Sequence, residues 1–186
     1  MPRYLALLRG INVGGRNKVA MADLRRIATE LGYTNVATYI QSGNLLFTSD
    51  GDDATGHAKA LEGRIAEQLG VRPAVVVMVA ADLAQAIANN PFPAEPNGRC
   101  LHAVFRATEP SAGERARIAD AVARAQANGS ADDAVVVGRT LYLHTPDGFG
   151  RSELAVRLVS SATPAAGTAR NWVTVTRLMA MLTEAG

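Results

Sequence analysis

Asn35-Val-Ala-Thr-Tyr-Ile-Gln-Ser-Gly-Asn-Leu-Leu-Phe-Thr48 reads as two short strands folded about a turn. Residues 35–41 and 45–48 are rich in β-branched, aromatic and apolar side chains, and Ser42-Gly43-Asn44 between them is turn chemistry. Upstream, Tyr4 to Leu8 is apolar on both alternating sets, which predicts a strand covered on both faces. Met21, Leu24, Ile27, Ala28 and Leu31 then fall at helical spacing, with Arg25, Arg26 and Glu30 opposite and Gly32 as the stop. Downstream, Ala58, Leu61, Ile65 and Leu69 predict a second helix ending at Gly70, and Arg72 to Val79 a fourth, valine-rich strand.

The order is β-α-β-β-α-β, the ferredoxin-like split βαβ arrangement. A right-handed crossover places the third strand between the first and second. The loop after strand one and the hairpin turn after strand two must then share one end of the sheet.

The rest of the chain partly echoes this order. A short helix over Ala81–Asn89 leads into the proline-rich loop Asn90–Gly98 and a strand over Leu101–Arg106. Ser111-Ala-Gly-Glu114 is a capping box opening a helix with Ile118, Val122 and Ala125 inside. Ala134–Val137 and Thr140–His144 pair across Gly138-Arg139. Two helices close the chain, one from near Ser152 and one over Asn171–Glu184, the latter with Trp172, Val175, Met179 and Leu182 inward. The expected class is therefore α+β. Residues 1–80 form a ferredoxin-like subdomain, packed against a second α+β subdomain over 81–186 (β-α-β-β ending in two helices) that shares its core.

With 186 residues, 48% of them hydrophobic, the chain can bury a core without a metal or disulfide. Cys100 is the single cysteine, which suits a reducing compartment. No apolar run approaches the roughly 20 residues of a membrane span, and the N-terminal run is short and broken by Arg9. A cytoplasmic location without membrane association is expected. Net charge is +2, unevenly placed: 51–138 carries eight cations and eleven anions, while both ends are basic. That favours a local basic site over a coat for nucleic acid.

Three junctions carry glycine beside a cation. Arg9-Gly-Ile-Asn-Val-Gly-Gly-Arg-Asn-Lys18 runs from a strand into a helix. Gly10 and Gly15 have phosphate-loop spacing, but Arg16-Asn17 stands where Lys-Ser/Thr would hold phosphate and magnesium, which excludes that nucleotide triphosphatase chemistry. The Gly14 and Gly15 amides with Arg9 or Arg16, Asn12 and Lys18 suit an anion at a helix start. Pro146-Asp-Gly-Phe-Gly-Arg-Ser152 brings Arg151 and the cap Ser152 to a second helix, and Gly167-Thr-Ala-Arg-Asn171 brings Arg170 and Asn171 to a third. Gln41, Ser42 and Asn44 offer a hydroxyl and amides at the same end as the first junction. Tight turns and solvated cations are the plain alternative for each. The nucleophile elbow is absent, no histidine spacing marks a base for Ser42, and no C-x-x-C or H-x-x-x-H pattern predicts a metal or cofactor.

Ala6-Leu-Leu-Arg-Gly-Ile-Asn-Val-Gly-Gly15, Asn17-Lys-Val19, Tyr39-Ile-Gln-Ser-Gly-Asn44, Asn90-Pro-Phe92, Pro146–Ser152 and Thr168-Ala-Arg-Asn-Trp172 together closely resemble the bacterial family known as domain of unknown function 1697. Ala20 stands where that family's pattern has Pro, and Ala169 where it has Thr. The resemblance implies an α+β fold with a ferredoxin-like part, and brings no activity or catalytic residues. The reading that results is a small domain binding a phosphorylated or carboxylated ligand in one cleft lined by the three glycine-cation junctions and the Gln41–Asn44 turn. Alternatives are a transferase or hydrolase using Ser42 or Lys18, a nucleic-acid binder stacking bases on Tyr4 and Phe47, and a structural or dimerising role.

Overall fold

The computed structural model describes residues 1–51, 53–159 and 167–184. In order the elements are β1 (Arg3–Leu8), α1 (Met21–Glu30), β2 (Thr34–Tyr39), β3 (Asn44–Thr48), α2 (Ala54–Leu69), β4 (Val75–Val79), α3 (Ala80–Ala88), β5 (Leu101–Phe105), α4 (Ala112–Ala127), β6 (Asp133–Val137), β7 (Thr140–His144), α5 (Glu153–Val159), β8 (Thr168–Asn171) and α6 (Trp172–Thr183). A 3-10 turn at Phe149–Arg151 precedes α5. The class is α+β, as expected, with two four-stranded antiparallel sheets of order β2-β3-β1-β4 and β6-β7-β5-β8. The chain divides into two compact units, Met1–Ala84 with Leu178–Gly186, and Gln85–Arg177.

In the first unit, Tyr4, Ala6 and Leu8 of β1 meet Leu24 and Ile27 of α1 and Leu61 and Ile65 of α2 in one apolar cluster. Each fully buried Leu or Ile contributes about 1.5–3 kcal/mol. Leu5 and Leu7, on the opposite face of β1, are also buried, as the two-sided apolar pattern predicts. α2 starts on Asp53, whose carboxylate accepts from the Thr55 amide at 2.9 Å, and stops on left-handed Gly70. Two strand ends of this unit differ from the sequence pattern by more than one residue. β2 stops at Tyr39 because Ile40 adopts a φ of +48°, which turns the chain out of the ladder. β4 starts at Val75 rather than Arg72, since Pro73 has no N–H to pair.

Tyr4 and Phe47 are not available for base stacking. Both lie in the core, Tyr4 stacked on Phe47 at 5.4 Å and Phe47 on Tyr33 at 4.2 Å, with His57 edge-on to all three. The Tyr4 hydroxyl donates to the Gly51 carbonyl at 2.6 Å.

The second unit repeats the connectivity. Ser111 and Glu114 form the capping box reciprocally, with both side chains bonded to the opposite backbone amide. Val104, Ile118, Leu141, Leu143 and Leu154 form its core. Two helices do close the chain, and a strand that the pattern did not signal, β8, lies between them and pairs with β5. Its sequence, Thr-Ala-Arg-Asn, has none of the β-branched alternation that marks the other strands apart from Thr168. Burial supplies what propensity lacks, with Thr168 and Arg170 both buried on one face.

Candidate functional site: the glycine-bearing rim of the first sheet

The expected convergence at one end of the first sheet is present. The Leu8 amide donates to the Gly43 carbonyl at 2.8 Å, and Asn12 Nδ2 donates to the Gln41 carbonyl at 2.9 Å. Gly43 fits because it lacks a side chain. A Cβ there would stand 2.8 Å from Leu8 Cβ and Ile11 Cδ1, and its φ is +73°.

The loop after β1 is a miniature hairpin held between two apolar anchors, Ile11 and Val19, both buried. The Asn12 amide donates to the Asn17 carbonyl, and Val13 and Arg16 bridge across Gly14-Gly15. Gly14 and Gly15 have φ of +58° and +76°, the two consecutive positive values of a type I′ turn. The turn alone therefore accounts for the two glycines. Asn12 is the pin: Nδ2 also donates to the Val19 carbonyl, and Oδ1 accepts from the Val19 amide, each at 2.9 Å. Asn17 Nδ2 donates to the Gly10 carbonyl.

The cations divide into two kinds. Arg9 is half-buried, which lowers its pKa by desolvation, and its amide donates to the Ala74 carbonyl. Arg16 and Lys18 are exposed, and among the described residues neither makes an ion pair. α1 begins beyond them, with Ala20 in extended geometry at its N-cap and no side-chain cap.

Asn44 is fully buried, and its Nδ2 donates to the Tyr39 carbonyl and to Ser42 Oγ, at 3.0 and 2.9 Å. It shapes the turn rather than facing solvent. His57 sits toward the other end of the sheet, bonded to the Tyr33 hydroxyl and near the Gly51 carbonyl, and so is not placed as a base for Ser42.

The two junctions in the second unit are built differently. Ser152 caps α5 by accepting from the Ala155 amide at 2.8 Å and donates to Asp132 at 2.7 Å. Arg151 is exposed on a hollow of about 380 Å³ that it shares with Asp132, Asp147 and Glu153, so carboxylates offset its charge there. Arg170 is buried in β8, its Nη1 donating to Thr168 Oγ1 and to the Ala169 carbonyl, and burial lowers its pKa to about 10. Asn171 Oδ1 accepts from the Thr174 amide and caps α6. Gly167 lies against Phe105 at the end of β5, whereas the Phe149–Arg151 turn comes after β7, whose last residue pairs with Leu101 at the start of β5. Only Gly167 lies at that far end, however: β8 runs antiparallel to β5, so Arg170 and Asn171 pair with Ala103 and His102 near the start of β5, the end at which β7 finishes and the Phe149–Arg151 turn follows.

The proline-rich loop is tied to β7. His144 Nε2 and Glu95 Oε2 lie 2.6 Å apart, Phe92 stacks on His144 at 5.2 Å, and the bond from His144 lowers the Glu95 pKa. Among the described residues no group of three or more His, Cys, Asp or Glu could hold a metal, and no helix is long and apolar enough to cross a membrane.

Sequence reasoning missed one concave feature, a cleft beside α4 and α5 in the second unit, lined in part by Arg106, Arg117, Arg124 and Arg157. The signal was there in Arg117 and Arg124, seven residues apart and hence on one helical face.

No curated protein matches the chain. Among solved structures, a conserved bacterial protein, SP0830 from Streptococcus pneumoniae, is similar over 98% of this chain and 99% of its own, with 25% identity and a TM-score of 0.73. The model of the family described as "Protein of unknown function (DUF1697)" matches residues 1–142, from the N-terminus into β7. On that match, which spans most of the sequence and the whole glycine-bearing rim, the chain belongs to the DUF1697 family.

Proposed function

We propose that the protein binds a small anionic ligand, phosphorylated or carboxylated, at the rim formed by the loop after β1 and the turn between β2 and β3. The observation that carries this reading is the combination at residues 12–18. Asn12 fixes the hairpin in one shape, and that hairpin presents Arg16 and Lys18 to solvent with no ion pair among the described residues. A loop already ordered loses little conformational entropy on binding. Arg16, Lys18 and the Gly14-Gly15 amides make the ligand contacts. Arg9 adds its field from beneath, Asn12 and Asn44 hold the backbone, and Gln41 and Ser42 form the facing edge.

Titration of the full chain with inorganic phosphate and pyrophosphate, monitored by amide chemical shifts, tests this. Saturable shifts centred on residues 12–18 are expected, weakened at least fivefold in Lys18→Ala and weakened by added salt. Shifts that are linear with concentration, or unchanged in Arg16→Ala and Lys18→Ala, would remove the reading.

A further inference from the structure

In the second unit a cleft of about 410 Å³ lies beside α4 and α5. Its floor is apolar: Ile118 and Ala121 from α4, Leu141 from β7 and Leu158 from α5, the first three of them buried in the core cluster. Its wall is cationic. Arg117 and Arg124 stand two turns apart along α4, Arg157 comes from α5, and Arg106 closes the end of β5. The carboxylates do not balance them. Glu114 is already engaged, accepting from the Ser111 amide at 2.9 Å and from Arg106 Nη2 at 2.8 Å, two bonds that lower its pKa. Within the cleft Asp120 is the remaining carboxylate, and Glu153 lines an adjoining hollow with Arg124 and Arg157, yet no guanidinium of Arg117, Arg124 or Arg157 makes an ion pair or hydrogen bond among the described residues.

Arg106 adds an independent sign. Its side chain is only 8% exposed, and its Nε is buried with no hydrogen-bond partner among the described residues. A buried N–H without an acceptor is rare in a folded protein, because the group gives up its water and gains nothing. Here the orphan belongs to a residue lining the cleft.

The geometry points to a second binding site in this cleft, for a small organic anion with an apolar body, such as an aryl phosphate or a medium-chain carboxylate. The volume lies in the range of small-molecule sites, and the mixture of an apolar floor with a few charged groups is their usual make-up. Guanidinium forks match the paired oxygens of carboxylate and phosphate alike. The anionic head meets Arg106, Arg124 and Arg157, while the apolar body covers Ile118, Leu141 and Leu158. An inorganic ion would satisfy the charges and leave that floor wet. This site is separate from the rim proposed above, and neither depends on the other.

The test is calorimetric titration of the full chain carrying Arg16→Ala and Lys18→Ala, which removes phosphate binding at the rim, with phenyl phosphate and with octanoate, beside inorganic phosphate and 1-octanol as controls. Saturable binding of at least one amphipathic anion with a Kd below about 1 mM is expected, and whichever of the two binds names the head group. Arg124→Gln combined with Arg157→Gln in that background is expected to weaken it at least tenfold. Ala121→Leu keeps every charge and fills part of the floor, so it should also weaken binding at least fivefold. Binding that survives the double arginine variant overturns the proposal, as does inorganic phosphate binding as tightly as phenyl phosphate. Absence of saturable binding by both amphipathic anions overturns it too. Should Ala121→Leu unfold the chain, the arginine pair still decides the matter.

Discussion

Arg9 and Arg106 occupy the same place in two units of like connectivity, each the first residue beyond the opening strand. The segments leading from them into the next helix differ. Eleven residues separate Arg9 from α1, with positive φ at Gly10, Asn12, Gly14, Gly15 and Asn17, and α1 has no side-chain cap. Five residues separate Arg106 from α4, which opens on a full capping box whose Glu114 also takes the arginine. In the first unit the helix start is secured by apolar anchors, Ile11 and Val19, which leave the polar loop between them free to carry charge. In the second the helix start is secured electrostatically, and the unpaired cations stand further along α4 instead. One topology thus places its surplus charge at a loop tip in one case and along a helix in the other. The way each helix is begun accounts for the difference.

The hairpin glycines offer the largest test of this contrast. Gly43 turns β2 into β3, and Gly138 turns β6 into β7, both at positive φ. A methyl at Gly43 meets Leu8 and Ile11 at 2.8 Å, whereas at Gly138 nothing lies within 4 Å. Gly43→Ala should cost about 3 kcal/mol, the left-handed penalty plus overpacking, and Gly138→Ala about 1 kcal/mol, the penalty alone. Urea unfolding of both variants measures this. Equal losses would mean that the loop after β1 yields to the added methyl, and the rim would lose its claim to rigidity.

A smaller effect rests on His102 in β5. His102 Nδ1 is buried with no hydrogen-bond partner among the described residues, and its ring is stacked on Phe149 at 4.0 Å. Burial lowers the His102 pKa from 6.5 to about 4. Between those values the unfolded chain binds the proton and the folded chain does not, so stability falls as pH drops from 6.5 toward 4. After allowance for solvent screening this loss is roughly 2 kcal/mol. It is measured as the difference in urea midpoint between the wild type and His102→Gln across that window. A constant difference would show that His102 takes up its proton in the folded state.

Much of this architecture was legible because apolar period and punctuation agreed. The valines of β4, the Gly70 stop and the Ser111–Glu114 box each announce one structure only. β8 was not legible, since Asn171 does cap α6 and so hid the strand ending on it. The convergence of the first loop with the Gln41–Asn44 turn came from topology, and the Asn12 bond to the Gln41 carbonyl bears it out. The pairing of Arg106 with Glu114 and the cleft beside α4 could not be reached that way, because they depend on which charges find partners. Spacing along a chain does not record that. Arg151 shows the same limit, since Asp132 lies 19 residues away in sequence and lines the same hollow.

Removing the cap from α4 should cost about 1 kcal/mol in Ser111→Ala, because the Glu114 amide loses its acceptor. The same urea titration reads this loss. If stability is unchanged, the Arg106–Glu114 pair alone holds the helix start, and the electrostatic half of the comparison narrows to that pair.

The finest test adds to α1 what it lacks. Ala20 is exposed and already has N-cap geometry, φ −69° and ψ 139°, so a polar side chain can reach the first-turn amides without moving the backbone. Ala20→Ser should raise stability by about 0.5 kcal/mol, and Ala20→Asp by slightly more through the helix dipole. The two variants part in their effect on the rim. Serine leaves the charge near Lys18 as it was, whereas aspartate sets a carboxylate two residues away. Phosphate affinity should therefore hold in Ala20→Ser and fall at least threefold in Ala20→Asp, read by the same amide shifts at residues 12–18. If both variants gain stability and bind phosphate equally, the helix start and the cationic loop act independently, and a ligand at the rim does not sense the field at Lys18.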